Sequence, residues 1–204
     1  MNYYPIYLDM EGRNVLVVGG GYVALQKIKG LLESGANVKV VAKQLIAQEI
    51  KELDIDLEIR DYIEEDLLNI SIVVAATNSN EVNRMIKNHS KKHNVLVNAV
   101  DDKENCDFIL GAVHRRGDIT ITVSTAGKSP IVAKKIRDKV GNMMSIDYEK
   151  LLSVYAYFRD KAYKELSDKG RKEFFEFLEA KFDEILFNNK LVEEKFNEVK
   201  IMCV

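Results

Sequence analysis

At 204 residues, 47% hydrophobic and 30% charged, the chain excludes a disordered or fibrous polymer and has room for one α/β domain plus a smaller appendage. A net charge of −2 gives no overall drive toward nucleic acid or an anionic membrane, and no apolar run is long enough to span a bilayer. Cys106 and Cys203 are too few for a disulfide framework and lack zinc-site spacing, and Met1-Asn2-Tyr3-Tyr4-Pro5 has no signal pattern, so a cytoplasmic setting is expected.

Val15 to Val18 form an apolar run of the kind that becomes a buried parallel strand. It leads directly into Gly19-Gly20-Gly21-Tyr22-Val23-Ala24, a GxGxxA turn between a strand pattern and a helix pattern. In a dinucleotide-binding reading, Gly19 makes the tight turn, Gly21 lets the backbone reach a pyrophosphate, and Ala24 permits close helix-on-strand packing. The helix N-terminus that follows, with Tyr22 and Val23, offers N–H groups to an anion. The plainer alternative is a strand-to-helix turn without a ligand.

The next helix carries Leu25, Ile28, Leu31 and Leu32 and stops at Gly35-Ala36. Val38 to Val41 predict a second strand, ending at Lys43-Gln44, and Leu57 to Arg60 a short alternating one. Ile72 to Ala76 predict a buried strand closed by Thr77-Asn78. Residues 80 to 93 predict a polar helix with Val82, Met85 and Ile86 facing inward, and Val95 to Asn98 a further strand. Strands alternating with helices imply right-handed crossovers and a doubly wound parallel sheet, whose ligands sit beyond the carboxyl ends of the strands. Gly19 to Val23, Lys43-Gln44, Thr77 and Asn98 to Asp101 occupy four such ends.

NAD-selective sheets of this kind commonly end the second strand in Asp or Glu, which holds the ribose 2′-hydroxyl. Here Val41-Ala42-Lys43-Gln44 stands instead, and Lys43 suits a 2′-phosphate, so the residues alone leave NAD and NADP both open. Asp101, just past a strand end and followed by Asp102, is the candidate proton acceptor, because a neighbouring negative charge raises one carboxyl pKa of such a pair. A helix cap or Asx turn is the alternative. His89 and His93, four apart, suit either a metal or a solvated helix face.

After residue 113 the pattern changes. His114 to Asp118 predict a polar turn and Ile119 to Val123 a half-buried strand. Ser124-Thr125-Ala126-Gly127-Lys128-Ser129-Pro130 then combines hydroxyls, a glycine and a lysine with a Ser N-cap and a first-turn proline, a natural seat for carboxylate or phosphate. The helix that starts there is expected to run through Arg137. Between His114 and Gly141, seven Lys/Arg (115, 116, 128, 134, 135, 137, 139) face two Asp (118, 138), an excess that fits either an anionic partner or a solvated helix face. From Ile146 onward the chain predicts helices, with stripes over Leu151 to Leu166, Phe174 to Leu186 and Leu191 to Val199.

Taken in order, these features resemble the precorrin-2 dehydrogenase and sirohydrochlorin ferrochelatase family of siroheme biosynthesis, the siroheme synthase N-terminal type. The matching residues are Pro5-Ile6-Tyr7-Leu8, Gly19-Gly20-Gly21-x-x-Ala24 with Lys27, Gly35-Ala36, Ala75-Ala76-Thr77 and Asn83. Asn98-x-x-Asp101, Cys106-Asp107-Phe108, Arg116-Gly117 and Ser124-Thr125-x-Gly127-Lys128-Ser129-Pro130 with Arg137 complete the series, which covers residues 5 to 137. Gly111 departs from the family, which commonly has proline there.

The resemblance implies NAD⁺-dependent oxidation of precorrin-2 to sirohydrochlorin, with Asp101 catalytic and NAD held by Gly19, Gly21, Tyr22, Val23, Lys43, Gln44, Thr77 and Asn98. The carboxylate-rich tetrapyrrole would meet His114, Arg116, Ser124, Thr125, Gly127, Lys128 and Ser129. It also implies a homodimer and, in some members, insertion of Fe²⁺, while 204 residues leave no room for the methyltransferase domain that some relatives carry as a fusion. The expected fold is an α/β, Rossmann-like doubly wound parallel sheet, followed by a small α+β dimerisation region and a helical C-terminal region. The expected boundaries are 1–113, 114–145 and 146–204. Two other readings use the same chain: a dinucleotide-sensing regulatory module without chemistry, which would carry an acid after the second strand, and a reductase using Tyr157, Lys161 and Ser145.

Overall fold

Val, Leu and Ile runs without a polar face leave a strand nothing to turn toward water, and here such runs become the buried middle of one sheet. The computed structural model describes residues 3–100, 102–144 and 147–202. Strands β1 (Asn14–Val18), β2 (Asn37–Ala42), β3 (Asp56–Ile59), β4 (Ile72–Ala75) and β5 (Leu96–Ala99) lie in the order β3-β2-β1-β4-β5, all neighbours parallel. Helix α1 (Tyr22–Leu32) links β1 to β2 and α2 (Asn80–His93) links β4 to β5. The expected doubly wound sheet is present, and its strand order reverses between β1 and β4.

Alternate residues of the central strands feed two cores. Val15, Val17, Val38, Val40 and Val74 pack with Ala24, Leu25 and Ile28 of α1. Leu16, Val18, Val73, Ala75 and Val97 pack with Ile86 of α2. At roughly 1.5–3 kcal/mol for each large side chain removed from water, these two layers dominate the stability of the sheet.

Helix α2 differs from expectation in one respect. Met85 faces solvent, and the inward positions beside Ile86 are polar: Asn83, Lys87 and Ser90 are buried. Each is satisfied, Asn83 by Thr77, Lys87 by the Asp107 carboxylate and Ser90 by the Lys87 carbonyl oxygen. The helix starts on Ser79, whose hydroxyl accepts the Val82 N–H, and ends on Asn94 in the left-handed region.

The chain divides into two compact units. One comprises the residues up to Leu110 with Ser124–Ser129, and the other comprises Gly111–Val123 with the residues from Pro130 onward. In the second, β6 (Ala112–Arg116) and β7 (Ile119–Val123) form an antiparallel hairpin with Arg116 opposite Ile119. The polar turn expected over 114–118 is thus confined to Gly117-Asp118, with Gly117 at φ +52. His114, Arg115 and Arg116 are strand residues, a role their polarity concealed because no residue of the hairpin is fully buried.

Helix α3 (Pro130–Met143) starts where Ser129-Pro130 indicated and runs six residues beyond Arg137. The C-terminal helices are α4 (Asp147–Glu165), α5 (Asp168–Ala180), α6 (Phe182–Phe187) and α7 (Lys190–Met202). The second expected stripe is broken into α5 and α6 at Lys181, whose φ −108 and ψ 17 leave the helical region. Phe158, Phe174 and Phe196 centre this helical core, with Phe196 5.5 Å from each of the other two ring centroids. Among the described residues, no helix is long and apolar enough to cross a membrane.

Candidate active site

The glycine turn sits at the reversal of strand order. Gly19 has φ +134, and a Cβ there would run into the Ala76 carbonyl at the end of β4. Gly20 is equally enclosed, since its Cβ would strike the Gln44 carbonyl oxygen. Backbone bonds fasten the turn to the end of β2: Gly19 N–H donates to Val41 O at 2.9 Å, and Ile46 and Ala47 N–H donate to Gly20 O at 2.8 and 3.0 Å. Gly19, Gly20, Lys43, Gln44 and Ala76-Thr77 therefore lie together at the carboxyl end of the sheet.

Gly21 is different. A Cβ at Gly21 would meet nothing within 4 Å, so packing within the protein does not explain a glycine there. Gly21 caps α1 with extended backbone and no side-chain acceptor, and no acidic residue lies in the first turn. The first-turn N–H groups of α1 thus keep their capacity to bind an anion, with the helix dipole behind them. Tyr22 and Val23 are exposed beside the turn, while Ala24 is fully buried against the sheet. An open cradle beside uncapped donors fits a dinucleotide pyrophosphate.

Beyond β2, Lys43 Nζ lies 3.4 Å from a carboxylate oxygen of Asp61, which follows β3. Asp61 escaped the sequence reading because only the pairing of β2 with β3 brings it to this corner. Thr77 Oγ1 donates to Asn83 Oδ1 at 2.7 Å and accepts the Ser79 N–H at 3.2 Å, so its hydroxyl shapes the β4–α2 loop. Asn98 is buried in β5, and its amide donates to Phe108 O at 2.9 Å, facing the 106–108 segment.

Asp101 lies outside the described residues. The described residues on either side of it are tied together by Cys106. Cys106 Sγ accepts the Ala99 N–H at 3.2 Å and lies 3.1 Å from Ala99 O and 3.2 Å from Asp102 O. Burial pushes the Cys106 thiol pKa upward, against the Ala99 N–H that favours thiolate. Asp102 accepts the Asn105 amide at 2.6 Å, and Asp107 joins the Lys87 ammonium to the Val97 N–H.

Ser124–Ser129 belong to the unit that contains the sheet. Lys128 N–H donates to Thr125 O at 3.0 Å across Ala126 and Gly127, at φ +51 and +70, the sign pattern of a type I′ turn. Thr125 Oγ1 accepts the Ser129 N–H at 3.1 Å, Ser124 Oγ accepts the Ala126 N–H at 3.1 Å, and the Lys128 side chain is exposed.

In the second unit, His114 packs on Gly141 of α3, where a Cβ would lie 2.7 Å from its Nδ1, and its Nε2 is buried without a partner. Arg116 donates to Met144 O and lies 3.6 Å from Glu149. Both residues brace the hairpin against the helices beside it.

His89 and His93 turn their Nε2 atoms to the carboxylate of Glu64, at 3.3 and 3.2 Å, and Lys92 joins them. No group of three or more His, Cys, Asp or Glu among the described residues could hold a metal ion. Tyr157 and Lys161 lie on α4, where the Lys161 ammonium sits 4.8 Å from the Phe196 ring centroid. Ser145, the third member of that reductase reading, lies outside the described residues.

The strand order, the glycine turn and the uncapped α1 together define an NAD(P)-binding, Rossmann-like domain. A family model described as "Putative NAD(P)-binding" matches residues 6–112, and the chain belongs to that family. A second, described as "Sirohaem biosynthesis protein central", matches residues 116–143. The chain is 35% identical over 182 residues to a siroheme synthase of Pseudoalteromonas translucida, covering 86% of this chain and 38% of that protein. It is 32% identical over 199 residues to a siroheme synthase of Nitrosospira multiformis, covering 93% and 42%. The chain thus spans about two fifths of the length of these curated relatives. A solved structure described as SirC, precorrin-2 dehydrogenase, superposes with a TM-score of 0.78 at 28% identity, over 97% of this chain and 99% of that one. These matches bear out the resemblance read in the sequence.

Proposed function

We propose that the chain oxidises precorrin-2 to sirohydrochlorin with NAD⁺, a cytoplasmic step of siroheme biosynthesis. The observation that carries this reading is the superposition on a precorrin-2 dehydrogenase across both units rather than over the nucleotide domain alone.

When bound, the nicotinamide ring accepts a hydride from a substrate carbon. Gly21 and the first turn of α1 hold the pyrophosphate, and the exposed Tyr22 and Val23 border it. Asp101 accepts the proton that leaves the substrate as the new double bond forms, which completes the loss of one hydride and one proton. The carboxylates of precorrin-2 pair with Lys128 and the hydroxyl-rich turn Ser124–Ser129, while His114 and Arg116 brace the hairpin. The chain works as a homodimer joined through its 114–145 region, where Ile131, Val132 and Ile136 on α3 are exposed.

The test is Asp101→Ala, which should abolish turnover with NAD⁺ and precorrin-2 while NAD⁺ binding persists. Wild-type turnover in that variant would overturn the assignment of the base. Adding Fe²⁺ to sirohydrochlorin with and without the chain decides whether metal insertion accompanies the oxidation.

A further inference from the structure

The second strand ends without the acid that an NAD-selective sheet ordinarily places there, and the fold brings an acid to the same corner from another strand. Ala42 and Ile59 are the last registered pair of β2 and β3. Lys43 follows the first directly and Asp61 follows the second by two residues, so the two side chains emerge side by side at 3.4 Å. Both side chains are largely exposed, 80% for Lys43 and 75% for Asp61, and so stand open to a ligand.

The corner is positioned as well as charged. Val41 and Ile46, on either side of Lys43, are each hydrogen-bonded to the glycine turn, which fixes the Lys43–Gln44 segment beside the pyrophosphate seat. On the other strand, the Arg60 guanidinium is anchored on the buried Asp66 carboxylate and donates to the Asp61 carbonyl oxygen at 3.0 Å. Glu58 is taken up by Arg60 and Lys39. Asp61, by contrast, is paired with Lys43.

We propose that Asp61 selects NAD⁺ over NADP⁺, with Lys43 as its counter-ion. The inference rests on the reading that the glycine turn holds a nicotinamide dinucleotide. The Asp61 carboxylate accepts a hydrogen bond from the adenosine ribose 2′-hydroxyl and repels a 2′-phosphate, the task usually done from the end of the second strand. It also neutralises Lys43, which would otherwise attract that phosphate. An acid just past the third strand thereby replaces the missing one.

The experiment is calorimetric titration of the full chain with NAD⁺ and, separately, with NADP⁺, for wild type, Asp61→Ala and the double variant Asp61→Ala/Lys43→Gln. Thermal melts check that the variants fold. Wild type should bind NAD⁺ more tightly than NADP⁺. Asp61→Ala should move the ratio of the two dissociation constants toward NADP⁺ by about tenfold or more, and the double variant should weaken NADP⁺ again. A ratio unchanged by Asp61→Ala, or a wild type that prefers NADP⁺, overturns the role of Asp61 and leaves the dinucleotide site standing. A wild type that binds neither dinucleotide overturns the site itself and this inference with it.

Discussion

A Cβ on Gly19 would collide with the carbonyl of Ala76, because the turn after β1 runs against the end of β4 with no room for a side chain. The φ of +134 adds a conformation that side chains rarely adopt. Gly19→Ala should therefore cost about 2–4 kcal/mol of folding stability. Thermal and urea melts will show it as a lower midpoint before any ligand is added.

Gly21→Ala should behave in the opposite way. Its Cβ enters open space and its backbone is extended, so the melt should stay close to wild type. The added methyl stands where the pyrophosphate approaches the α1 N–H groups, and dinucleotide affinity should fall by about tenfold or more, which is about 1.4 kcal/mol or more. Calorimetry on the pair Gly19→Ala and Gly21→Ala separates the glycine required by the protein from the one required by the ligand.

The Lys87–Asp107 pair, its ammonium buried and its carboxylate about a third exposed, ties α2 to the segment after β5. Asp107 also accepts the Val97 N–H at 3.0 Å, so Asp107→Ala strands both a buried ammonium and a backbone donor. That variant should lose about 2–4 kcal/mol. Lys87→Met, which removes the buried charge, should lose less. Denaturation midpoints of the two variants give the order.

Acid should loosen the β3 side of the sheet. Burial works to raise the Asp66 carboxyl pKa, but the Arg60 guanidinium, the Ile63 N–H and Lys39 together hold it below the ordinary carboxylate value. A group whose pKa is lower in the folded than in the unfolded chain stabilises above the unfolded value, about 4, and that contribution is lost as pH falls through the folded one. Urea midpoints measured from about pH 5 to about pH 3 should fall for wild type. Asp66→Asn should start lower at neutral pH and fall less steeply over the same interval.

Much of this architecture could be read from residue order because local and tertiary preferences agree. Val15–Val18 and Ile72–Ala75 have no polar face, and Gly19-Gly20 mark a tight turn directly after the first of them. Where a role depends on a partner far along the chain, the pattern was silent. Asp61 sits in an acidic stretch and becomes notable only when β3 pairs with β2 beside Lys43. Met85 is apolar and suggests an inward position, yet Asn83 and Lys87 are the buried residues, bonded to Thr77 and Asp107. His114 and Arg116 look like turn residues until the pairing of β6 with β7 makes them strand. The second helical stripe continues across Lys181 in hydrophobicity alone, whereas the backbone there leaves the helix.

The oxidation itself is read by mixing the purified chain with NAD⁺ and precorrin-2 and following NADH and sirohydrochlorin together. Both should appear in equal amounts, and neither should form without the chain or without NAD⁺. Tight binding of NAD⁺ with no NADH formed from precorrin-2 would contradict it and leave a domain that holds the dinucleotide without this chemistry.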